Sequence, residues 1–398
     1  MSTTMSEPGS AAMRVARICV LVLAIALPVS IAVTEGALIL GLMSLAVASA
    51  QGRRLAFQRS WLEPASLALV IAWLLASLTS PEPAASFFNA RKLYALGLIW
   101  LSAEALRDPA TRRRLVPLIA VGASLTAIVG FLIFAIQIQR DPTYRLQSLL
   151  SNQMTSGGVL AAAALWVLGG LTEGSLRRRL ALGASFVPIA TALALTQTRS
   201  HWLGFVIGAT VLLVARVPRA WWSVPAGAVL FALVAPAGLR ARLASVLDPS
   251  EPGNQGRLSM WRSGLEIWRE HPWTGAGLQD LLSLYRKHKL PDATFESGHF
   301  HNNLVQFAVS AGAVGLAAFL AWSVAALRQL VRAVRCASAE GRALPASALA
   351  VFVALQVAGM FDFTFGDAEV VYQSYLALGV ALSVLPERGT LTLAESHG

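Results

Sequence analysis

Residues 115–137 read LVPLIAVGASLTAIVGFLIFAIQ, 23 residues without one charged side chain. A bilayer core about 30 Å thick is crossed by about 20 apolar residues wound as a helix. Hydrocarbon offers no partner to a free backbone group, so such a run must be helical. Three arginines, Arg112, Arg113 and Arg114, stand just before it, and arginines in short connections collect on the cytoplasmic side. This stretch predicts both a fold class and an orientation.

Working outward, similar apolar segments precede it at about 15–34, 36–50, 61–80 and 93–106. Others follow at about 158–171, 180–198, 202–215, 221–237, 303–326, 344–362 and 371–385. The expectation is an all-α, polytopic integral membrane protein of about 12 transmembrane helices. Composition agrees. Of 398 residues, 56% are hydrophobic and 13% charged, and mean hydropathy is +0.60. Soluble domains carry roughly 25% charged residues, so a soluble enzyme and a disordered chain are excluded. Two cysteines, Cys19 and Cys336, are too few for a disulfide scaffold. Ala48-Ser49-Ala50 resembles a signal-peptide cleavage site, but a long apolar hairpin precedes it and Arg53 and Arg54 follow at once, which argues against cleavage.

The net charge of +11 does not call for nucleic acid, because 29 of the 32 basic residues are arginine and most lie in short connections. With the N-terminus inside, cytoplasmic connections hold Arg53, Arg54, Arg59, Arg107, Arg112, Arg113, Arg114, Arg177, Arg178, Arg179, Arg216, Arg219, Arg328, Arg332, Arg335 and Arg342. Arg14, Arg17 and Arg388 bring the inside total to 19, against 13 outside. Both termini are therefore expected in the cytoplasm, with Lys92, Lys287 and Lys289 facing outward. Eight of the outside residues lie in one long loop, where the charge rule carries little weight. The layout is one membrane domain: helices 1–9 over 1–237, a periplasmic loop over 238–300, and helices 10–12 with a cytoplasmic tail over 301–398. In the loop Leu258, Trp261, Leu265 and Trp268 recur at helical spacing between Arg262, Glu266 and Arg269. This is either an amphipathic helix lying at the outer interface or a plain surface helix.

Several residues outside the apolar runs have chemical potential. Arg199 stands in the turn Thr196-Gln197-Thr198-Arg199-Ser200-His201-Trp202. It is open to two readings, snorkelling to lipid headgroups and bidentate gripping of a phosphate. Gly204 and Gly208, at GxxxG spacing, indicate close helix packing. Arg257, Arg262, Arg269, Arg286, Lys287 and Lys289 make the loop attractive to an anionic head group. Asp248, Glu251, Glu266, Glu270, Asp280, Asp292 and Glu296 equally fit a solvated loop of mixed charge. His299-Phe300-His301-Asn302-Asn303 opens a helix, which Asn302 or Asn303 can cap. The positive end of a helix disfavours imidazolium, and a neutral imidazole suits a general base; a structural histidine is the alternative. A metal site is not expected, because no cysteine or carboxylate nearby completes a ligand set. Asp362, beside Asp367 at the outer end of a span, is placed to orient a histidine or pair with an arginine.

Taken in order, Gly256-Arg257, Trp261, His271-Pro272-Trp273-Thr274-Gly275-Ala276-Gly277, His301-Asn302, Gly312 and Gly315 resemble the O-antigen ligase and polymerase superfamily. The resemblance runs over about 190–320. It implies glycosyl transfer at the periplasmic face of a bacterial inner membrane, from a glycan on undecaprenyl diphosphate. The acceptor is a sugar hydroxyl of lipid A–core in the ligases and another lipid-linked glycan in the polymerases. Neither nucleotide nor metal cofactor is implied, and the partners are the lipid-linked glycan, the acceptor and the bilayer, without nucleic acid. Carried over by position, Arg199 and Arg257 bind the diphosphate, Arg262 is a third diphosphate-binding residue beside them, and His301 is the base. His299, Asn302 and Asp362 have supporting roles, and the choice between His299 and His301 as base stays open. A 12-helix transporter or flippase is the competing class. Its expected basic motif with an aspartate is not met by Gln51-Gly52-Arg53-Arg54-Leu55-Ala56-Phe57-Gln58-Arg59, which holds no acid, and the spans are poor in acids, with Glu63 and Glu104 near span ends.

Overall fold

The computed structural model describes residues 11–52, 60–248, 250–279, 281–291, 293 and 296–386. Arg53, Arg54, Arg59, Arg388, Asp280 and Asp292 lie outside the described residues, as does most of the 51–59 connection.

Regular structure among the described residues is helical throughout. The first half holds α1 (Ala11–Ala26), α2 (Ile31–Ala50), α3 (Leu62–Leu78), α4 (Pro83–Ala90), α5 (Gly97–Ala105), α6 (Pro109–Gln137), α7 (Gln153–Gly170) and α8 (Leu176–Leu195). The second half holds α9 (Arg199–Arg216), α10 (Ser223–Val234), α11 (Ala237–Ala244), α12 (Pro252–Glu270), α13 (Leu281–His288), α14 (Asn303–Cys336), α15 (Ala343–Ala358) and α16 (Ala368–Val384). By length and composition α2, α6, α8 and α14 are able to cross a membrane, and α3, α15 and α16 are shorter apolar helices. The protein is a helical membrane protein.

Local chemistry explains where the helices break. The apolar segment 15–34 is interrupted at Pro28, which lacks an amide proton, and Ser30 then caps α2 through the amide of Val33 at 3.5 Å. The segment 93–106 is not one helix: a 3-10 stretch, Arg91–Leu96, separates α4 from α5. The nine residues of α5 rise only about 14 Å at 1.5 Å per residue. Within 221–237, α10 buries none of its residues, and Leu233 and Val234 are 67% and 71% exposed.

The bundle is built around α7, α15 and α16, which are buried along most of their length. The run Ala161, Ala162, Ala163 and Ala164 lets neighbours approach α7 closely. On α9, Gly204 and Gly208 lie against the carbonyls of Ala354 and Ala350 in α15, where a Cβ would collide. The GxxxG spacing is thus a packing feature. α7, α9, α14 and α16 all begin at one end of the bundle; α6, α8 and α15 begin at the other.

The region 238–300 is largely helical. α12 turns Gly256, Ser259, Met260, Ser263, Gly264 and Ile267 inward, against α13 and α14. The apolar stripe is divided: Leu258 and Leu265 are over 40% exposed, as an interfacial or a surface helix requires, whereas Trp261 donates to the Phe300 carbonyl at 2.9 Å. Small residues face the protein, which leaves the leucines free for lipid or solvent. The segment 272–277 then docks on α14. Ala276 and Gly277 donate to the carbonyls of Val309 and Ser310, and Ala313 and Val314 donate to those of Pro272 and Trp273. This exchange needs α14 to open at Gly312, whose φ of 64° and ψ of −163° are non-helical. A Cβ at Gly312 would strike the Trp273 carbonyl, so only glycine serves there.

Candidate functional site

The site is assembled at the end where α7, α9, α14 and α16 begin. Asn302 caps α14, its Oδ1 accepting the amides of Leu304 and Val305 at 2.8 and 3.1 Å. The same residue donates from Nδ2 to the Met360 carbonyl at 2.9 Å. Asn303 exchanges hydrogen bonds with Thr364, and its amide donates to the Gly359 carbonyl at 2.7 Å. The start of α14 is thereby fastened to the turn after α15, which carries Asp362. Capping and alignment are one task here, performed by two adjacent asparagines.

That fastening places His301 Nδ1 at 3.0 Å from Asp362 Oδ1. A carboxylate at Nδ1 holds the proton on that nitrogen and leaves the Nε2 lone pair as the acceptor. The Asp362 side chain is 8% exposed and that of His301 22%, so the pair is shielded but reachable. His301 adopts a φ of 47°, a left-handed conformation that costs on the order of 1–3 kcal/mol outside glycine. His299 packs against it with ring centroids 4.2 Å apart. Burial, reinforced by the charge of His301 and outweighing Asp362, pushes His299 down to about 4, so it is neutral at physiological pH. Both histidines and Asp362 line a cavity of about 420 Å³, which Lys92, Asn152 and Gln279 also border.

The ligand atoms of His299, His301 and Asp362 lie within 4.8 Å of one another and could hold a metal ion. The sequence expectation that no carboxylate completes such a set is corrected: folding brings Asp362 there across 61 positions. The hydrogen bond from His301 Nδ1 to Asp362 already occupies two of the donor atoms.

A second cluster lies beside the first. The turn between α8 and α9 bends at Gln197, with a φ of 52°, and presents its carbonyls to arginines. Arg145 donates to the carbonyls of Thr196 and Gln197, each at 3.0 Å. Arg199 neither snorkels nor stands free. Its side chain is 8% exposed and bonds Ser245, Glu251 and Asn254 at 2.8–3.0 Å. Glu251 caps α12 and also receives Arg242 at 3.1 Å. Arg257 makes no hydrogen bond or ion pair among the described residues, and its Nε is buried without a partner. Burial lowers Arg257 below the usual arginine range, as do Arg199 and Arg242, while Asp362 acts in the opposite sense. Burial and then Arg242, Arg257 and Arg199 bring Arg145 down to about 10. Four guanidinium groups thus converge near one carboxylate, Glu251, and through Arg257 reach the Asp362 field.

Residues 184–320 match the sequence model of a family described as O-antigen ligase. The match supports the O-antigen ligase and polymerase superfamily, and a glycan-transferring function of ligase or polymerase type. No curated protein matches the chain. The ligase-family segment contains Arg199, Arg242, Arg257, His299 and His301, whereas Arg145 and Asp362 reach the site from outside it.

Of the sequence candidates, His299, His301, Asn302 and Asp362 come together, and Arg199 and Arg257 share the neighbouring cluster. Arg262 does not join: it is exposed on α12, next to the outward stripe. Three residues of the site carried no signal of their own in the sequence. Arg145 is one polar residue in a loop 51 positions from its partner Thr196. Arg242 lies in a stretch rich in arginine. His201 is 1% exposed with Nε2 unpartnered. A histidine two residues after Arg199 was the only available hint.

Proposed function

We propose that the protein transfers a glycan from undecaprenyl diphosphate to an acceptor sugar hydroxyl, that of lipid A–core, on the periplasmic side of a bacterial inner membrane. The observation that carries this reading is the His301–Asp362 pair, facing a cavity beside a cluster of arginines with surplus positive charge. His301 Nε2 takes the proton of the acceptor hydroxyl, and the oxygen attacks the anomeric carbon. The bond from that carbon to the diphosphate oxygen breaks, its electron pair leaves with the diphosphate, and the anomeric centre inverts. Arg257 and Arg145 stabilise the departing charge in a site of low dielectric, where fixed cations act most strongly. Arg199 holds the outer region in register and adds its field. Asp362 is a positioning residue for His301. No step requires a metal or a nucleotide.

Polymerisation of lipid-linked units uses the same chemistry with a different acceptor, and is the second reading supported by the family match. The test is complementation of a deletion strain with wild-type protein and His301→Ala, followed by the lipopolysaccharide ladder on a gel. Wild-type protein should restore capped core bands and His301→Ala should not, although it inserts normally. General-base help is typically worth about 10²–10⁴-fold, so near-normal transfer by His301→Ala removes the base role. Deletion that leaves a single added unit identifies a polymerase, and an unchanged ladder refutes both transfer reactions on lipopolysaccharide.

A further inference from the structure

A second cavity, of about 360 Å³, lies at the opposite end of the bundle, between the first turns of α6 and α8 and the α14–α15 connection. Arg112, Arg113 and Arg178 border it, against one acid, Glu173. The guanidinium groups of Arg112 and Arg113 make no hydrogen bond or ion pair among the described residues. Arg178 Nε is buried without a partner. Glu173 is within the fields of Arg178 and Arg216, yet its Oε2 is also unpartnered. The hydroxyls on the wall are occupied internally: Ser347 donates to Ala343, and Ser338 accepts from Gly341. The open groups of this cavity are therefore three guanidiniums against a single carboxylate oxygen, a surplus of cationic donors. Its remaining wall is apolar, with Val116, Leu344 and Val384.

Arginines in these connections are accounted for by the orientation rule only as charges. That rule does not require them to converge on a cavity, nor to leave a buried donor unsatisfied, which costs on the order of 1–3 kcal/mol. Guanidinium groups match phosphate oxygens in a fork geometry, and basic pockets between spans suit anionic lipid head groups. An apolar wall beside the cations suits the first carbons of an acyl chain. We infer that this cavity binds the phosphate ester of an anionic membrane phospholipid, held by Arg112, Arg113 and Arg178. The site is separate from the transfer chemistry and does not depend on it.

Cys336 supplies the readout. It is an exposed free thiol on the cavity wall, whereas Cys19 is buried. The full chain, purified in detergent, is alkylated with N-ethylmaleimide, with and without dioleoylphosphatidylglycerol. At ten times its dissociation constant, bound lipid should slow Cys336 alkylation about tenfold by mass action. The double variant Arg113→Gln/Arg178→Gln should abolish this protection. Arg113 is exposed, so Arg113→Gln alone disturbs no packing and should still weaken it. Protection by inorganic phosphate at equal strength keeps the phosphate site and assigns it to a soluble anion. Equal protection by dioleoylphosphatidylcholine, unchanged protection in both variants, or no protection of wild-type protein by any of these probes overturns the inference.

Discussion

Replacing Asp362 by asparagine tests the proposed chemistry most directly. Oδ1 of Asp362 accepts both the His301 Nδ1 proton at 3.0 Å and the Phe363 amide at 2.9 Å. Asparagine retains one acceptor oxygen and nearly the same shape, but loses the charge that faces His201, His299 and Arg257. A hydrogen bond to a charged group contributes about 1.5–3 kcal/mol against about 0.5–1.5 kcal/mol for a neutral one, so the exchange forfeits about 1–1.5 kcal/mol, and each 1.4 kcal/mol is about tenfold in rate. Asp362→Asn should therefore lower kcat by about 5–10-fold. Because Asp362 orients His301 and does not grip the diphosphate, KM for the lipid-linked donor should barely move. The assay is transfer by purified protein, with donor titrated at saturating acceptor, alongside a thermal unfolding scan. A kcat within about threefold of wild type, or a loss confined to KM, refutes the positioning role.

Other outcomes follow from the same geometry. Arg199→Ala should cost about 1.5–3 kcal/mol of stability by breaking the Glu251 and Ser245 bonds, whereas Arg257→Ala should lower transfer about 10²–10³-fold at an unchanged thermal midpoint; the opposite pattern would exchange their roles. Gly312→Ala forces a side chain into the left-handed region and against the Trp273 carbonyl, so the midpoint should fall by the equivalent of at least ~1–3 kcal/mol, and a wild-type midpoint would contradict the docking described for 272–277. His299 sits near 4 in the folded protein against 6.5 unfolded; the unfolded chain therefore binds more protons below pH 6.5, and stability falls with pH, by ~2 kcal/mol between pH 7 and pH 5. His299→Gln should flatten that slope, and an unaltered pH profile of thermal unfolding would count against it.

The helical membrane character was legible because hydrophobic runs such as 115–137 leave the backbone no alternative. Breaks inside runs were legible only where a residue enforces them. Pro28 ends α1 visibly, but the opening of α14 at Gly312 lies within an apolar segment whose pattern continues through it. Its cause is a contact with Trp273, 39 positions earlier, and no local propensity encodes that. The site divides in the same way. His301 and Asn302 announce themselves as polar residues at a helix start, and Arg199 as a charge in a tight turn. The sequence does not say that Arg199 is already engaged while Arg257 is free, since that depends on where Glu251 lands. Arg145 was hidden because a lone arginine acquires meaning only from the carbonyls that the Gln197 turn points toward it.

The opening at Gly312 also bears on how the site could move. Backbone hydrogen bonds couple residues 272–277 to both sides of that break, so the first nine residues of α14 are joined to the outer layer as firmly as to the bundle. His301 stands just before those nine residues, separated from them by the cap Asn302. A push on α12 or α13 by an arriving acceptor would travel along this splint and tilt the imidazole, rather than being absorbed in a slack tether.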